Sequence, residues 1–242
     1  MRKMNKMIEI AGMTLAIVLA LAACSNPAGG GGKDNGGSGG GGTTVIAQGI
    51  QVKATPDNGS TFTDSTFTGD FGNCNYSSRT EGGSYYYHVD PITQYAPDSS
   101  IKVTNGKLTM TLGVPKAEYL FDMDSEFSGS GITISPSGAK CYAFIGFWTS
   151  DGEHDLWCLK DRSALLEVLA YVDRDVNING TGTDTSDGTT YIYTVNYSLK
   201  KGWNYVTYES RDSGGSTVEV KQTSSPTLPT GYNWVIFDRT HG

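Results

Sequence analysis

Carboxylate side chains alternate along three short segments of this 242-residue chain. These groups are Asp122, Asp124 and Glu126; Asp151, Glu153 and Asp155; and Asp173 with Asp175. Calcium binds through about six to eight oxygen ligands, which acidic segments of this kind supply. Calcium binding is therefore the first chemistry that the residue types offer, and the only cofactor for which the sequence gives any indication.

The segment from Asp151 begins like a calcium-binding loop, with Asp151, Glu153 and Asp155 as candidate metal ligands. An EF-hand loop needs glycine at its sixth place and glutamate at its twelfth. Leu156 and Arg162 stand at those places. The segment is therefore not an EF-hand, and the spacing favours a solvated acidic turn over a metal site.

Enzyme signatures are weak. Paired carboxylates perform glycoside hydrolysis only at a defined separation, which a sequence does not reveal. The histidines (His88, His154 and His241) lie outside the zinc-protease pattern H-E-x-x-H. A literal G-x-S-x-G at residues 36–40 lies in a glycine-rich segment instead of the strand–turn–helix that a nucleophile requires. We therefore predict no catalytic residue.

Aromatic residues are plentiful, and four are candidate ligand-binding residues: Tyr85, Tyr86, Tyr87 and Trp157. Adjacent tyrosines in a strand point to opposite faces, so at least one should be partly exposed unless both faces are covered. Exposed aromatic rings suit sugars or partner proteins. The alternative, which strand composition favours, is that they fill the core and the strand faces.

Three cysteines follow position 24: Cys74, Cys141 and Cys158. None lies in a C-x-x-C pair, which argues against a redox motif or a zinc ribbon. Buried thiols that pack as small hydrophobic groups and one disulfide with one free thiol are equally compatible with the sequence.

The N-terminus has the parts of an export signal. Arg2, Lys3 and Lys6 precede an apolar run of twelve residues, 10–21. That run is too short to cross a bilayer as a helix, which takes about 20 residues. Leu21-Ala22-Ala23-Cys24 resembles the lipobox of bacterial lipoproteins. The resemblance implies a signal peptide over residues 1–23, acylation of Cys24 (palmitate among its chains) and anchoring to a lipid bilayer in the cell envelope, at the outer membrane or cell surface.

Residues 24–44 form the expected linker. Ten of the fourteen residues from Gly29 to Gly42 are glycine, and such a stretch cannot bury enough apolar surface to offset its chain entropy. Removing the signal peptide, with its net +2, takes the charge from −7 to −9. An acidic domain argues against phosphate-mediated binding of nucleic acid.

Residues 45–242 are predicted to form a single all-β domain, an antiparallel β-sandwich or barrel. Apolar and polar residues alternate from Tyr191 to Lys200, which is the period of a half-buried strand. Asn105-Gly106 between two alternating segments predicts a type I′ hairpin. Residues 142–148 are apolar on both faces, as in a central strand. Many short strands with turn signals between them are typical of sandwiches and barrels.

Four local interpretations follow from the same patterns. Residues 164–178 favour one strand over a helix. Residues 180–190 look like a long loop, and residues 60–75 look irregular. A turn at Lys201-Gly202 joins two strands into a hairpin, so the last fifty residues read as a meander that ends in a strand over 232–237.

Two segments resemble a pattern found in uncharacterised bacterial lipoproteins. Residues 171–180 (YVDRDVNING) form an acidic strand that ends in glycine, and residues 198–204 (SLKKGWN) form a turn with Lys-Gly-Trp-Asn. The resemblance covers about a fifth of the chain. It implies an envelope location and a β fold, and no activity.

Taken together, these features predict a non-enzymatic, membrane-anchored module that binds an extracellular glycan or protein. A structural or assembly protein of the cell envelope is the alternative, and a carbohydrate-active enzyme is the third possibility. The pattern of exposed aromatic and acidic groups on the folded domain discriminates among them.

Overall fold

The computed structural model describes residues 43–55, 67–75, 80–81, 84–85, 88–126, 131–144, 146–161, 164–186 and 188–238. The signal peptide, Cys24 and the glycine-rich linker lie outside these residues, as do Tyr86, Tyr87 and Arg162. None of the helices in the described residues is both long enough and apolar enough to cross a membrane.

The described residues form the all-β domain that the sequence predicts. Its nineteen strands, numbered along the chain, are β1 (Thr44–Gln51), β2 (Lys53–Thr55), β3 (Gly69–Asn75), β4 (Thr80–Glu81), β5 (Ser84–Tyr85), β6 (His88–Asp90), β7 (Ser100–Thr104), β8 (Lys107–Leu112), β9 (Phe121–Asp122), β10 (Ile132–Ser135), β11 (Lys140–Phe144), β12 (Phe147–Thr149), β13 (His154–Asp161), β14 (Ala164–Val172), β15 (Val176–Ser186), β16 (Thr189–Leu199), β17 (Gly202–Gly214), β18 (Thr217–Ser225) and β19 (Asn233–Asp238). Helical structure in these residues is limited to single turns at Ile92–Gln94, Ala117–Tyr119 and Met123–Glu126.

A small antiparallel sheet forms one layer. Strand β8 lies between β1 and β7, and β7 also pairs with the start of β3. Asn105 and Gly106 join β7 to β8 with φ angles of 48° and 70°. Both values are positive, as a type I′ turn requires, which confirms the hairpin predicted from the sequence.

A large curled sheet contains the other strands, except β4 and β5, which form a separate two-stranded sheet. Its central run is β10–β15–β16–β18–β17–β14, and β14 continues to β11 along one half of its length and to β13 along the other. Strands β12 and β19 flank β13, while β2, β3, β6 and β9 complete the edges. All pairings in it are antiparallel except β16–β18 and β19–β2.

Two hydrophobic cores lie on opposite faces of the same strands. The first packs the small sheet against the large one and includes Leu108, Met110, Phe144, Trp203 and Trp234. The second lies where the large sheet curls over itself, and it includes Cys141, Val172, Ile178, Val195 and Tyr197. Because β11, β14 and β17 contribute side chains to both cores, they are covered on both faces.

This double covering explains two sequence patterns. In the apolar run predicted over 142–148, Phe144, Phe147 and Trp148 are buried and Tyr142 and Ala143 are half-buried, and the run contributes to two short strands, β11 and β12. The strand predicted over 164–178 is wrong in extent, because the chain turns at 173–175 and forms β14 and β15. Val172 and Val176 share a core on either side of that turn, which made the alternation look continuous.

The predicted meander is wrong in its order. Strands β16 and β17 are joined by only two residues, yet β18 lies between them, parallel to β16 and antiparallel to β17. The last strand, β19, forms as predicted but pairs with β13 and β2. A sequence pattern shows which residues form strands, but it does not show the order of strands that pair across long separations.

Two segments predicted to be irregular contain strands. Residues 180–186 and 189–190 belong to β15 and β16, which pair residue for residue from Val176↔Leu199 to Ser186↔Thr189. The segment 60–75 contains β3 over its last seven residues. The glycine and threonine residues in both segments are typical of loops. Pairing with neighbouring strands nevertheless holds these residues in an extended conformation.

The link between β16 and β17 is held by one buried side chain. Asn204 is fully buried and its Nδ2 donates to the carbonyls of Lys200 (2.7 Å) and Gly202 (2.9 Å). Its Oδ1 accepts the N–H of Lys200 at 2.9 Å. Asp175 accepts a second N–H of this link, from Lys201 at 2.8 Å. The Lys-Gly-Trp-Asn segment is therefore a self-capped turn.

Gly202→Val should lower the free energy of unfolding by about 1–3 kcal/mol, because Gly202 has a φ of +103° that a β-branched residue adopts only under strain. A side chain at this position would meet no atom within 4 Å, so the cost is one of backbone conformation and not of collision. Urea melts measure it. The neighbouring exposed substitution Lys201→Val should change stability by less than about 0.5 kcal/mol, and equal effects at both positions would contradict the strain argument.

Candidate functional site

The acidic turn between β12 and β13 is the first candidate. Asp151 and Glu153 are exposed, and the Oδ1 atom of Asp151 accepts hydrogen bonds from the Thr149 hydroxyl and from the N–H of Glu153 at 3.0 Å. The Thr149 hydroxyl in turn accepts the N–H of His154 at 3.1 Å. These bonds lower the pKa of Asp151, the largest cause being the Thr149 hydroxyl. The turn is therefore stabilised by an ionised carboxylate, a contribution complete at neutral pH and lost as the pH falls through the lowered pKa.

The structure does not bring together the three predicted metal ligands. Asp155 lies on β13 and is only 4% exposed, on the buried side of the strand. His154 takes its place, so that ligand atoms of Asp151, Glu153 and His154 lie within 4.8 Å of one another. Its ring packs 4.8 Å from that of Phe67. Two carboxylates and an imidazole are a poor match to calcium, which takes oxygen ligands only and needs more of them.

We expect millimolar calcium to leave the melting temperature of the protein unchanged, since a ligand stabilises the folded state only when it binds there. Differential scanning fluorimetry with calcium and then with chelator tests this. The matched variant is Asp151→Ala, which removes the central carboxylate. A rise in melting temperature that chelator reverses and Asp151→Ala abolishes would show that the turn is a calcium site.

The other two acidic groups cap backbone turns. Asp122 accepts the N–H of Asp124 at 2.9 Å, and Asp124 accepts the N–H of Gly138 at 2.6 Å. Asp173 accepts the N–H of Lys140 at 2.9 Å, and Asp175 accepts that of Lys201. The alternation of carboxylates therefore serves the connections between strands.

The predicted aromatic candidates lie in different places. Trp157 is half-buried on β13 and meets the buried Trp148 edge to face, with ring centroids 6.1 Å apart. Tyr85 ends β5, a two-residue strand, while Tyr86 and Tyr87 lie outside the described residues. Ligand binding at this tyrosine run stays a prediction.

A polar aromatic cluster that sequence analysis missed lies where β3, β6 and β11 meet. Asn73 and Asp90 are opposite each other in the β3–β6 pair, and both are buried. The Tyr95 hydroxyl donates to Asp90 at 2.5 Å, and Asn73 Nδ2 donates to the Tyr142 hydroxyl at 3.4 Å. The rings of Tyr95 and Tyr142 stack at 5.8 Å, and Tyr119 meets Tyr95 edge to face at 5.0 Å.

Burial raises the pKa of Tyr142, and the neighbouring tyrosines and Asp90 raise it further, so its hydroxyl stays protonated at neutral pH. The cluster therefore offers neutral hydroxyl and amide groups beside one carboxylate. Its members are up to 69 positions apart. Only the short spacing from Asp90 to Tyr95 offered a sequence signal.

The thiols of Cys141 and Cys158 are free and buried. Burial raises the pKa of both, so they stay protonated and inert at neutral pH. The side chain of Cys74 lies outside the described residues. For Cys141 and Cys158, packing as small hydrophobic groups is confirmed.

A four-stranded part of the large sheet forms a surface feature that we call the extension. It comprises residues 181–186 of β15, 189–195 of β16, 208–214 of β17 and 217–222 of β18, which pair mainly with one another. The turns at its tip lie together, since the N–H of Thr190 donates to the carbonyl of Ser216 at 2.7 Å.

The two faces of the extension differ in chemistry. One face carries a small apolar cluster in which Tyr191, Tyr208 and Val220 are buried and Tyr193 stacks on Tyr191 with centroids 6.3 Å apart. The opposite face is exposed and polar. This face continues along the full lengths of β15 and β16, beyond the extension, and presents ten outward residues that we call the polar strip: Asn177, Asn179, Thr181, Thr183, Thr185, Thr190, Ile192, Thr194, Asn196 and Ser198.

Comparison with known proteins found no matching family model, no similar curated protein and no similar solved structure.

Proposed function

We propose that the protein is a lipid-anchored, extracytoplasmic module that binds an extracellular glycan or protein without transforming it. The charged, apolar and cysteine-containing parts of the N-terminus support export and acylation at Cys24. Two or more acyl chains suffice for stable anchoring to a bilayer. The acidic net charge supports a soluble folded domain that does not adhere to anionic lipid headgroups.

The observation that carries the proposal is the position of the extension relative to the start of the domain. Thr44, the first residue of β1, pairs with Leu112, and the adjacent carbonyl of Gly113 accepts the indole N–H of Trp203 at 2.9 Å. Tyr205 donates to the carbonyl of Ile46 at 2.9 Å. The linker therefore joins the domain beside the first residues of β17.

The tip of the extension lies at the other end of the same strand. From Trp203 to Gly214, β17 spans eleven residue steps, or roughly 36 Å at the usual rise of a strand. The linker that the sequence predicts reaches about 65 Å at most from Cys24. The linker therefore attaches the lipid anchor at one end of β17, and the extension lies at the other end, where a module that captures an external ligand needs its binding surface.

Binding can be tested on the full mature chain purified from membranes in detergent. We expect reproducible capture of at least one extracellular glycan or protein on an array of both classes. Absence of binding to either class, together with an envelope defect in a deletion strain, would favour the structural role instead. Turnover of a captured glycan would favour the enzyme.

Bulky thiol labels show which end binds. A polyethylene glycol maleimide on Ser216→Cys, at the tip, should weaken capture at least tenfold. The same label on Lys201→Cys, at the attachment end, should leave it unchanged. Both positions are exposed turns, and the native Cys141 and Cys158 are buried away from the reagent. Both variants also carry Cys74→Ser, so that the introduced cysteine is the one labelled. A block by the Lys201 label alone would contradict a binding surface on the extension.

A further inference from the structure

We infer that the polar strip is a binding surface for a neutral polysaccharide chain. This inference rests on the proposed function and names the ligand class for one face of the extension. The first observation is the composition of the strip: nine of its ten outward residues are threonine, asparagine or serine, and none is charged. Charged residues make up 18% of the chain, and the strip has none.

The second observation is that the strip is accessible and unoccupied by its own neighbours. All of its residues are exposed except Thr190, which is half-buried. Among the residues that the structure describes, none of its nine polar side chains has a hydrogen-bond partner within the protein. Hydroxyl and carboxamide groups both donate and accept hydrogen bonds. They therefore match the hydroxyls of a sugar, which also do both.

The third observation is the regular spacing of the side chains on the strip. Cross-strand pairs such as Thr181↔Thr194 and Asn179↔Asn196 set the side chains of β15 and β16 directly opposite each other. Neighbouring side chains on the strip recur about every 6.6 Å along a strand and about every 4.8 Å across. From Asn177 to Thr185 the strip is roughly 27 Å long. That length accommodates several sugar rings of one extended chain.

The residues that flank the strip are uncharged on one side and charged on the other. On the β10 side the outward residues are Thr133 and Ser135, again uncharged, and both are exposed. On the β18 side they are Glu219 and Lys221. The uncharged area therefore spans three strands, and it is wider than a single row of side chains.

These features select among ligand classes. An anionic polymer requires cations to neutralise it, and the strip has none. A protein interface concentrates aromatic, methionine and arginine residues at its centre. The central apolar residue of the strip is Ile192 alone, which is 39% exposed. Neutral sugars match the donors and acceptors of the strip, through many individually weak hydrogen bonds that several anchored copies reinforce and without the stacking that an exposed aromatic ring would add.

The test is co-sedimentation of the full mature chain, in detergent, with insoluble neutral polysaccharides: cellulose, chitin, β-glucan and mannan. Heparin-coated beads provide the anionic comparison. We expect retention by at least one neutral polysaccharide and none by heparin. Thr183→Asp combined with Thr194→Asp places two charges in the middle of the strip and should reduce retention at least tenfold.

Two controls separate binding from folding. Thr93→Asp combined with Thr104→Asp adds the same charges at exposed positions elsewhere and should bind as the unmodified protein does. Thr183→Ser combined with Thr194→Ser keeps both hydroxyls and should retain most of the binding. Melting temperatures of all three variants show that each is folded.

Three outcomes would overturn the inference. Equal retention of the strip variant and the unmodified protein would place the sugar elsewhere. Retention by heparin and by no neutral polysaccharide would exclude a neutral ligand. Capture of a protein on the array with no polysaccharide retained would refute the strip's ligand class while leaving the proposed binding function intact, whereas failure of both assays would refute the two together.

Discussion

Replacing Trp203 with alanine should lower the free energy of unfolding by about 3–5 kcal/mol. The indole is 5% exposed and lies in the core between the two sheets. It stacks on Phe144 with centroids 4.9 Å apart and meets Tyr171 edge to face at 5.6 Å. Its N–H donates to the carbonyl of Gly113. Truncation would therefore open a cavity and leave a buried carbonyl without its donor.

Urea denaturation of two further variants separates these contributions. Trp203→Phe keeps a ring against Phe144 but loses the hydrogen bond, so we expect a smaller cost of about 1–3 kcal/mol. Ile192→Ala removes an exposed side chain and should change stability by less than about 0.5 kcal/mol. A nearly neutral Trp203→Ala would mean that the indole is not part of the core.

Replacing Cys24 with alanine should abolish acylation completely and move the protein from the membrane fraction to the soluble fraction. The thiol is the group that carries lipid, and each buried methylene of an acyl chain contributes about 0.8 kcal/mol to membrane binding. Metabolic labelling with an alkynyl fatty acid measures the modification, and fractionation measures the anchoring. This change has the largest expected effect on location, because Cys24 is the acylation site that the sequence predicts.

The neighbouring substitution Ser25→Ala serves as the control for Cys24→Ala, since it leaves the acceptor thiol in place. It should label as strongly as the unmodified protein. Continued fatty-acid incorporation in Cys24→Ala would refute the lipobox interpretation and would point to another acylated cysteine.

Local patterns predicted the parts of the fold that local interactions determine. The Asn105-Gly106 hairpin and the all-β class follow from short-range chemistry, and the structure confirms both. The Lys-Gly-Trp-Asn segment was recognised as a turn, although the strands that it joins are not neighbours.

Long-range pairing determines what the sequence did not predict. Residues 180–190 are strand because eleven cross-strand pairs hold β15 on β16, not because their own propensity is high. The cluster of Asn73, Asp90 and Tyr142 depends on the pairing of β3 with both β6 and β12, which no local pattern shows. The alternation in the β16 part of the polar strip was predicted from the sequence. The β15 part was predicted to be a loop, because its residues are of types common in loops.

The placement of β18 between β16 and β17 bears on self-association. Without β18, strands β16 and β17 would each present a row of unpaired backbone N–H and C=O groups to a gap one strand wide. Such a slot is a template for any β segment, including one from another molecule. By filling it with its own chain, the protein removes two edges at once. The C-terminal strands thus protect a threonine-rich, low-charge sheet that would otherwise be prone to aggregate.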